Sequence, residues 1–426
     1  MQNKAAVILF TLLIFTAFNN TSGQKLVNSP FARFNLGILE PAGSFRSLAM
    51  GGTGTAIRDN NSIYYTNPAS YSSLDTNSFV FDFGIDYGIN ILTEDDSRHI
   101  SDDINFDHLL LGFPILKDWG FAAGIIPFSN GYYRISDSVL EGDPGYDPIT
   151  GGYTEYHIGT GGITSFFAGT GMRLFKGLSA GINMTLLFGS VNRINQFDFA
   201  DYSNAYNNNS TEKMQLNGLN LDYGIQYSIS LKNNYFLNVG ASMSQGKKYK
   251  SRYETIAYRY NYYGATDTIS SSADSSRVFI PGTVRMGLAF GKKNKLTAAF
   301  DYSFTNWSES TLRGGEGYLG NKKSMNFGIE YIPEKFSNYS YVRRMEYRIG
   351  AHIEDNYLVL NGDQIKEIGA SFGIGLPLPR SLSKVNLFID YTKRSGSGEL
   401  SHNENYFTMG ASLNLWDLWF MKRRYE

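Results

Sequence analysis

The sequence predicts an all-β transmembrane protein: an antiparallel β-barrel of about fourteen strands whose lumen is plugged by an N-terminal segment, here called the hatch. Three observations lead to this fold. A signal for export begins the chain, many long segments alternate between apolar and polar residues, and the hatch, residues 24–76, does not alternate. The chain has 426 residues with 30 Tyr, 30 Phe and 45 Gly, and only 18% are charged. Such a composition is typical of a barrel facing lipid outside and water inside.

Residues 1–23 have the organisation of a removable secretory signal. Lys4 supplies the positive start, residues 5–18 form an apolar run, and small residues precede Gln24. The run is shorter than the roughly twenty residues that a membrane-spanning helix needs. The chain contains no Cys, so neither a lipoprotein anchor nor a disulfide framework is expected.

The hatch contains the stretch GGTGTAIRDNNSIYYTNPAS, residues 51–70, whose glycines suggest a phosphate-binding loop at first sight. The dinucleotide-binding spacing fails, because Ile57 stands where a third glycine is needed, and no Gly-Lys-Ser/Thr follows. About fifty turn-rich residues would be marginal as a separate domain. Inside a barrel they could satisfy their backbone against polar inward-facing residues, so the sequence predicts a plug.

Residues 77–426 supply the barrel. In 79–91 and 219–231, for example, every second residue is apolar and the alternate positions are mostly Gly, Ser, Asn, Asp or Gln. Strands of a soluble sandwich also alternate, but they usually run about five or six residues, whereas these run about nine to thirteen. Length therefore favours the membrane. Short turns alternate with long polar loops, as expected for periplasmic and exterior ends.

The hatch also carries a family resemblance. Its motif is similar to the hatch of the FadL/TodX family of outer-membrane transporters for hydrophobic compounds, in a form that resembles a Bacteroidetes-type branch. Residues 280–307 and 347–376 resemble a late strand pair and a hairpin of that family. The hatch residues that carry the resemblance are Arg46, Gly51, Gly52, Gly54, Asn67, Pro68 and Ala69.

The resemblance implies that a ligand is captured near the outside and leaves sideways through a kinked third strand. The candidate gate is Pro127, Ser129, Asn130 and Gly131: Pro127 lacks the donor that a strand ladder needs, and Gly131 permits a bend. The same residues are also a turn signal, so a loop edge remains the alternative.

The expected ligand pocket is apolar and lined by hatch aromatics, Phe31, Phe34 and Phe45. Arg46 is expected to reach a lumen carboxylate. The candidates for that carboxylate are Asp82, Asp222 and Asp301.

No catalytic constellation is found, since the five His are scattered without metal-ligand spacing and there is no Cys. We therefore expect no enzyme activity, no metal and no cofactor. A net charge of −1 argues against a nucleic-acid partner. The expected location is the outer membrane of a Gram-negative bacterium. The expected partners are outer-membrane lipids, a hydrophobic small molecule and, during biogenesis, the barrel-assembly machinery.

Three functions follow as hypotheses. The first is a passive channel for long-chain fatty acids or aromatic hydrocarbons, in which the hatch shifts and the ligand exits laterally. The second is a non-transporting barrel of the same kind that serves as an adaptor or subunit of an outer-membrane secretion or assembly complex, with a protein partner. The third, a non-specific porin, is disfavoured by the plug.

Overall fold

The computed structural model describes residues 29–94, 97–199, 206–261, 266–312, 319–360, 362–396 and 403–418. The predicted signal, residues 1–23, and the first five residues of the predicted hatch lie outside these ranges.

The described residues form eighteen strands and a few short helices. The strands are β1 (Ile38–Leu39), β2 (Ser78–Glu94), β3 (Ser97–Leu116), β4 (Trp119–Asn130), β5 (Tyr133–Val139), β6 (Tyr153–Phe175), β7 (Leu178–Phe199), β8 (Asn207–Ser230), β9 (Tyr235–Ser244), β10 (Lys247–Tyr260), β11 (Thr266–Ile280), β12 (Thr283–Lys292), β13 (Leu296–Asn306), β14 (Asn321–Tyr331), β15 (Glu346–Leu360), β16 (Asp363–Pro377), β17 (Lys384–Ser395) and β18 (Asn403–Leu418). The helices are α1 (Phe45–Leu48) and α2 (Tyr341–Arg344), with 3-10 turns at Pro30–Arg33, Pro68–Ser73, Lys232–Asn234 and Trp307–Glu309.

All strands except β1 build one closed antiparallel barrel. Three barrel strands are interrupted: β4 continues as β5, β9 as β10, and β11 as β12. Accordingly β8 pairs with β10 along its first part and with β9 along its second. The ring closes where β18 pairs with β2, from Asn403 opposite Thr93 to Leu418 opposite Ser78. Counting each interrupted strand once gives fourteen strands, which confirms the predicted architecture.

The alternation in sequence becomes an apolar outside and a polar inside. On β2, Phe83, Ile85 and Tyr87 are exposed, whereas Asp82 is buried in the lumen. Exposed large apolar side chains recur on strand after strand around the barrel. An apolar surface of this extent is unfavourable in water and matches a lipid environment.

The hatch lies inside the ring and contributes to every buried apolar cluster. Phe45 and Ala49 pack with Phe388 of β17, and the 3-10 helix Pro68–Ser73 contacts β4, β6, β7 and β8. No helix among the described residues is both long and apolar enough to cross a membrane.

The two ends of the barrel differ. At the end where β2 begins, β3 and β4 are joined by Lys117–Asp118 and β6 and β7 by Lys176–Gly177. At the other end the strands extend further, and a long connection, residues 140–152, joins β5 to β6. The first end also carries one long connection, residues 332–345 between β14 and β15. We call the two ends the short-turn end and the long-loop end, which correspond to periplasm and exterior in bacterial barrels.

Candidate functional site in the lumen

Glycines on the inner wall let the hatch backbone lie directly against the barrel. A Cβ on Gly350 would stand 1.9 Å from the backbone N of Gly51, and one on Gly224 would stand 2.1 Å from Oδ1 of Asn67. A Cβ on Gly240 would stand 2.2 Å from the carbonyl oxygen of Thr55, and one on Gly328 would stand 2.3 Å from that of Met50. Since any side chain at these positions would push the hatch away, the glycines define its seat.

The glycines of the hatch motif fit the same seat. Gly51 and Gly52 have φ of +68° and +88°, a region that side chains disfavour. The Gly51 N–H donates to Oγ of Ser371 at 3.0 Å. The N–H groups of Gly54 and Thr55 both donate to Oδ2 of Asp301, at 2.8 Å each. Asp301 therefore binds the hatch backbone rather than Arg46.

Asn67, Pro68 and Ala69 form a fully buried turn against β8 and β9. The Asn67 amide donates to the carbonyls of Thr55, Ile225 and Ala241 at 2.8 to 3.3 Å. Its oxygen accepts from the N–H of Ala69 at 3.1 Å and caps the 3-10 helix that Pro68 begins. One side chain thus joins two parts of the hatch to two barrel strands.

Arg46 joins the hatch to the opposite wall through a buried ion-pair network. Its guanidinium makes two bonds to Glu330 of β14, at 2.8 and 3.1 Å, and one to Asp59 of the hatch at 2.5 Å. The expected partners Asp82, Asp222 and Asp301 are thus replaced by Glu330, which lies on the polar face of β14. A bidentate arginine–carboxylate pair is among the strongest of charge-assisted contacts.

The network continues into the barrel wall. Arg348 donates to Glu330 at 2.8 Å and also to Glu346, and Lys384 donates to Glu346 at 3.1 Å. Three cations therefore balance three carboxylates, and the five residues other than Asp59 are at most 8% exposed. Burial tends to raise the pKa of Asp59, but Arg46 and Lys384 outweigh it and hold that pKa at about 2.

The predicted gate lies where the third barrel strand leaves its neighbour. Pairing of β3 with β4 stops at Leu109 opposite Ile125, and the register with β6 shifts between Pro127 and Ser129. The strand then breaks before β5, where the Gly131 N–H donates to the carbonyl of Gly161 at 2.9 Å.

The hatch occupies the edge that β4 leaves free. Strand β1 pairs with it, with Ile38 opposite Asn130 and Leu39 opposite Ser129, and the Glu40 N–H donates to the carbonyl of Phe128 at 3.1 Å. Among the described residues, Ser97–His108 of β3 pair only with β2.

A cavity of about 510 Å³ lies between the hatch, this strand break and the far wall. Phe45 lines it together with Ile38, Leu39 and Ile126, and stacks on Phe388 at 4.7 Å between ring centroids. Phe31 and Phe34 do not line it, and pack instead in a separate apolar cluster. Twelve acidic or basic residues also line the cavity: Glu40, Asp86, Asp103, Asp107, Arg285, Asp301, Lys322, His352, Glu354, Glu367, Asp390 and Arg394.

Glu40 of the hatch reflects this charged lining. Burial, together with the nearby Asp107 and Asp103 carboxylates, raises its pKa to about 7. No group of three or more metal-ligating side chains occurs among the described residues. The cavity is therefore a mixed apolar and charged space, with an acidic side near β2 and β3.

A family model described as BamG matches residues 1–426, the whole chain. The chain belongs to the BamG family. No curated protein matches it.

Several solved structures share the fold of this BamG-family barrel. They include the toluene transporter TodX of Pseudomonas putida, at 15% identity over 89% of this chain and 99% of that one, with a TM-score of 0.59. A FadL homologue of Pseudomonas aeruginosa has 11% identity over 88% and 99%, with a TM-score of 0.57. The toluene transporter TbuX of Ralstonia pickettii has 12% identity over 88% and 98%, with a TM-score of 0.55. These similarities support the FadL-like fold, and the Bacteroidetes branch stays a prediction.

Sequence reasoning identified Arg46 but missed its partner. The alternation of apolar and polar residues could have indicated Glu330. Both Glu330 and Arg348 fall on the polar, inward-facing positions, and they lie opposite each other on neighbouring strands.

Proposed function

We propose that this BamG-family barrel resides in a Gram-negative outer membrane and serves as a non-transporting subunit of a protein assembly or secretion complex there. The observation that carries the proposal is the buried attachment of the hatch through Arg46, Glu330 and the wall behind them. A plug fixed in this way suits a structural scaffold better than a moving gate.

Energetics support a fixed hatch. Removing one partner of a buried ion pair costs about 3–5 kcal/mol. The bonds from the hatch backbone to Asp301 and from Asn67 to the barrel strands add to it. A hydrocarbon of about twenty atoms gains only about 6 kcal/mol on binding. Because a ligand shifts an equilibrium by no more than its differential affinity, such a ligand is too weak to displace the whole hatch.

The cavity chemistry points the same way. An apolar ligand in this space would separate charged groups from water without offering them hydrogen bonds, which is costly. Asp86 and Arg394, for example, line the same cavity as Phe45.

The long-loop end offers a surface for a protein partner. Strand β11 extends far along β10, and all its residues from Thr266 to Ser275 are exposed. Among the described residues, no strand pairs with residues 266–273 on the edge of β11 that faces away from β10. A free strand edge is a ready site for pairing with a segment of another chain.

A second candidate, passive uptake of a hydrophobic small molecule, is favoured by one observation. The wall loses the pairing between β3 and the third strand at Pro127–Gly131, where lateral exit would occur. Three of the structures with the same fold are described as toluene transporters or FadL homologues.

One engineered disulfide separates the two functions. The chain has no Cys, so Leu39→Cys with Ser129→Cys, which are opposite each other on β1 and β4, would lock the hatch onto the strand break. The matched control is Ser138→Cys with Thr154→Cys, an exposed pair on β5 and β6.

Cells depleted of the natural chain are then supplied with each oxidised variant. Under the subunit proposal, the locked chain restores assembly of other outer-membrane proteins, measured by their heat-modifiable migration, as well as the control does. If instead uptake of labelled fatty acid or toluene depends on the chain, stops on locking and returns on reduction, transport replaces the subunit proposal.

A further inference from the structure

The outer face of the barrel carries a cluster of cations on β8, β10 and β11, here called the cationic patch. Lys250 is the centre, because it lies opposite Asn217 of β8 and opposite Arg277 of β11. Arg252 follows on the same face, opposite Gln215. The members of the patch are Lys213, Lys248, Lys250, Arg252 and Arg277.

The alternation on these strands places the patch outside. On β8, Leu216 and Met214 are buried in the lumen cluster, whereas Leu219 and Tyr223 are exposed with the other lipid-facing residues. Asn217 is two residues from Leu219 on the same strand, so both side chains lie on the outer face. On β10, Tyr249 faces the lumen cluster, so its neighbours Lys248 and Lys250 face outward too.

The patch lies at the upper border of the apolar belt. Asn217 is two residues beyond Leu219 towards the long-loop end, about 7 Å along the strand. On the other side Asn217 pairs with Phe188 of β7, which is exposed and apolar. The cations thus begin directly beyond the lipid-facing Leu219 and Phe188, at the level where lipid headgroups meet a membrane protein.

Most of these charges have no ion-pair partner in the part of the chain that the structure describes. Among the described residues, Lys248, Lys250 and Arg277 form no ion pair. Arg252 pairs with Glu254 at 2.7 Å, but its side chain stays 56% exposed. A surface with several cations and one carboxylate attracts anions.

A shallow cavity gives the patch a shape. It has a volume of about 470 Å³ and is lined by Lys250, Arg252 and Arg277 together with Gln215 and Asn217. Ser275 of β11 lies two residues from Arg277, faces the same way and adds a hydroxyl group to the lining. Guanidinium, ammonium, amide and hydroxyl donors around one hollow are the groups that bind phosphate oxygens.

We propose that the cationic patch binds the phosphorylated headgroup of a glycolipid in the outer leaflet of the membrane. The acyl chains of the lipid would lie along Leu219 and Phe188, and its phosphates would contact Lys250 and Arg277. The proposal rests on the outer-membrane location given under Proposed function, but not on the choice between subunit and transporter.

The test compares two triple variants of the full-length barrel purified in detergent. Lys248→Gln, Lys250→Gln and Arg277→Gln remove three charges from the patch. The matched control removes three exposed charges at the short-turn end: Lys176→Gln, Lys293→Gln and Lys295→Gln. Both are checked for heat-modifiable migration, so that only folded barrels are compared.

Each protein is titrated with lipopolysaccharide of a deep-rough strain, before and after enzymatic removal of its phosphates, and binding is followed by native mass spectrometry. We expect the patch variant to bind about a hundredfold more weakly than the natural chain, because each basic side chain near a headgroup contributes appreciably. The control should bind like the natural chain, and the dephosphorylated lipid should bind the natural chain as weakly as the patch variant binds the intact lipid.

Equal binding by the two triple variants would overturn the proposal, and so would a natural chain that does not distinguish the phosphorylated lipid from the dephosphorylated one. If an acidic peptide binds the patch while phosphatidylglycerol vesicles and lipopolysaccharide do not, the patch is a protein-binding surface instead. Failure of the subunit proposal is seen in the disulfide experiment and does not alter this titration.

Discussion

Two parts of the hatch are held inside the same barrel by different interactions. The core of the hatch, residues 44–74, is attached by buried charged and amide side chains, above all Arg46 and Asn67. The arm, residues 29–43, is attached by apolar packing of Phe31 and Leu36 and by its backbone. Carbonyls of Arg33 and Asn35 accept from Arg193, and β1 pairs with the strand break. Backbone contacts tolerate substitution, whereas a buried charge needs its particular partner.

This difference explains where the recognisable motif lies. Every hatch residue that carries the family resemblance falls in the core. There, a change of side chain either leaves a buried polar group without its partner or adds atoms for which there is no space between the hatch and the barrel wall. The arm supplies the pairing at the third strand, where a two-residue strand can separate without breaking an ion pair. Motion, if the barrel has any, should therefore begin in the arm.

The largest expected effect tests the attachment of the core. Glu330→Gln removes a carboxylate that serves both Arg46 and Arg348, and we expect the hatch to lose about 3–5 kcal/mol of stability. Protease accessibility of the hatch in denaturant measures this loss. The control Glu334→Gln breaks an exposed pair with Arg343 and should change stability little. Equal effects of the two substitutions would contradict a structural role for the network.

The seat is tested next. Gly350→Ala places a methyl group 1.9 Å from the Gly51 nitrogen, and overpacking of this kind typically costs about 1–3 kcal/mol. The milder comparison is Gly54→Ala, where the nearest atom, the Thr66 hydroxyl oxygen, is 3.0 Å away. Thermal unfolding in detergent should rank Gly350→Ala as the less stable variant, and the reverse order would show that the hatch does not sit as described.

Asn67→Ala should cost about 1–2 kcal/mol, because it removes the cap of the 3-10 helix and leaves the carbonyls of Ile225 and Ala241 without that donor. Hydrogen exchange of residues 66–73 measures the loss. Binding of phosphorylated glycolipid by the same variant should stay unchanged, since the cationic patch lies on the outer face. A simultaneous loss of both would indicate general unfolding rather than a local effect.

The smallest expected effect is a pH dependence of the stability of the arm, which differs in sign from that of the core. The pKa of Glu40 is raised from 4.5 to about 7, so the folded arm prefers the neutral carboxyl. Its stabilisation is complete below pH 4.5 and is lost as pH rises through about 7, by about 1 kcal/mol after allowing for water in the cavity. The pH dependence that Asp59 gives to the core has the opposite sign. Its pKa is lowered from 3.8 to about 2, so the stability of the core is lost only as pH falls through that range.

Hydrogen exchange of the arm across pH 4 to 8 measures this dependence. Glu40→Gln should abolish the change in the arm and leave the core unaffected. An arm whose protection is independent of pH in the natural chain would contradict the assignment.

The alternation of apolar and polar residues by itself determined the antiparallel barrel and, through the number of long alternating segments, its fourteen strands. It succeeds because a strand has a period of two residues and every barrel strand separates lipid from lumen. The same regularity placed Gly224 and Glu330 on the inner face without showing what they meet there.

The tertiary structure alone decided the contacts across the lumen. Glu330 lies 284 residues from Arg46, and the acid that pairs with a buried base depends on how the ring closes around the hatch. Likewise, Lys250 and Arg277 form one patch only because the register of β10 and β11 sets them side by side. Periodicity is a local property of the chain, whereas register and closure are set by all fourteen strands together.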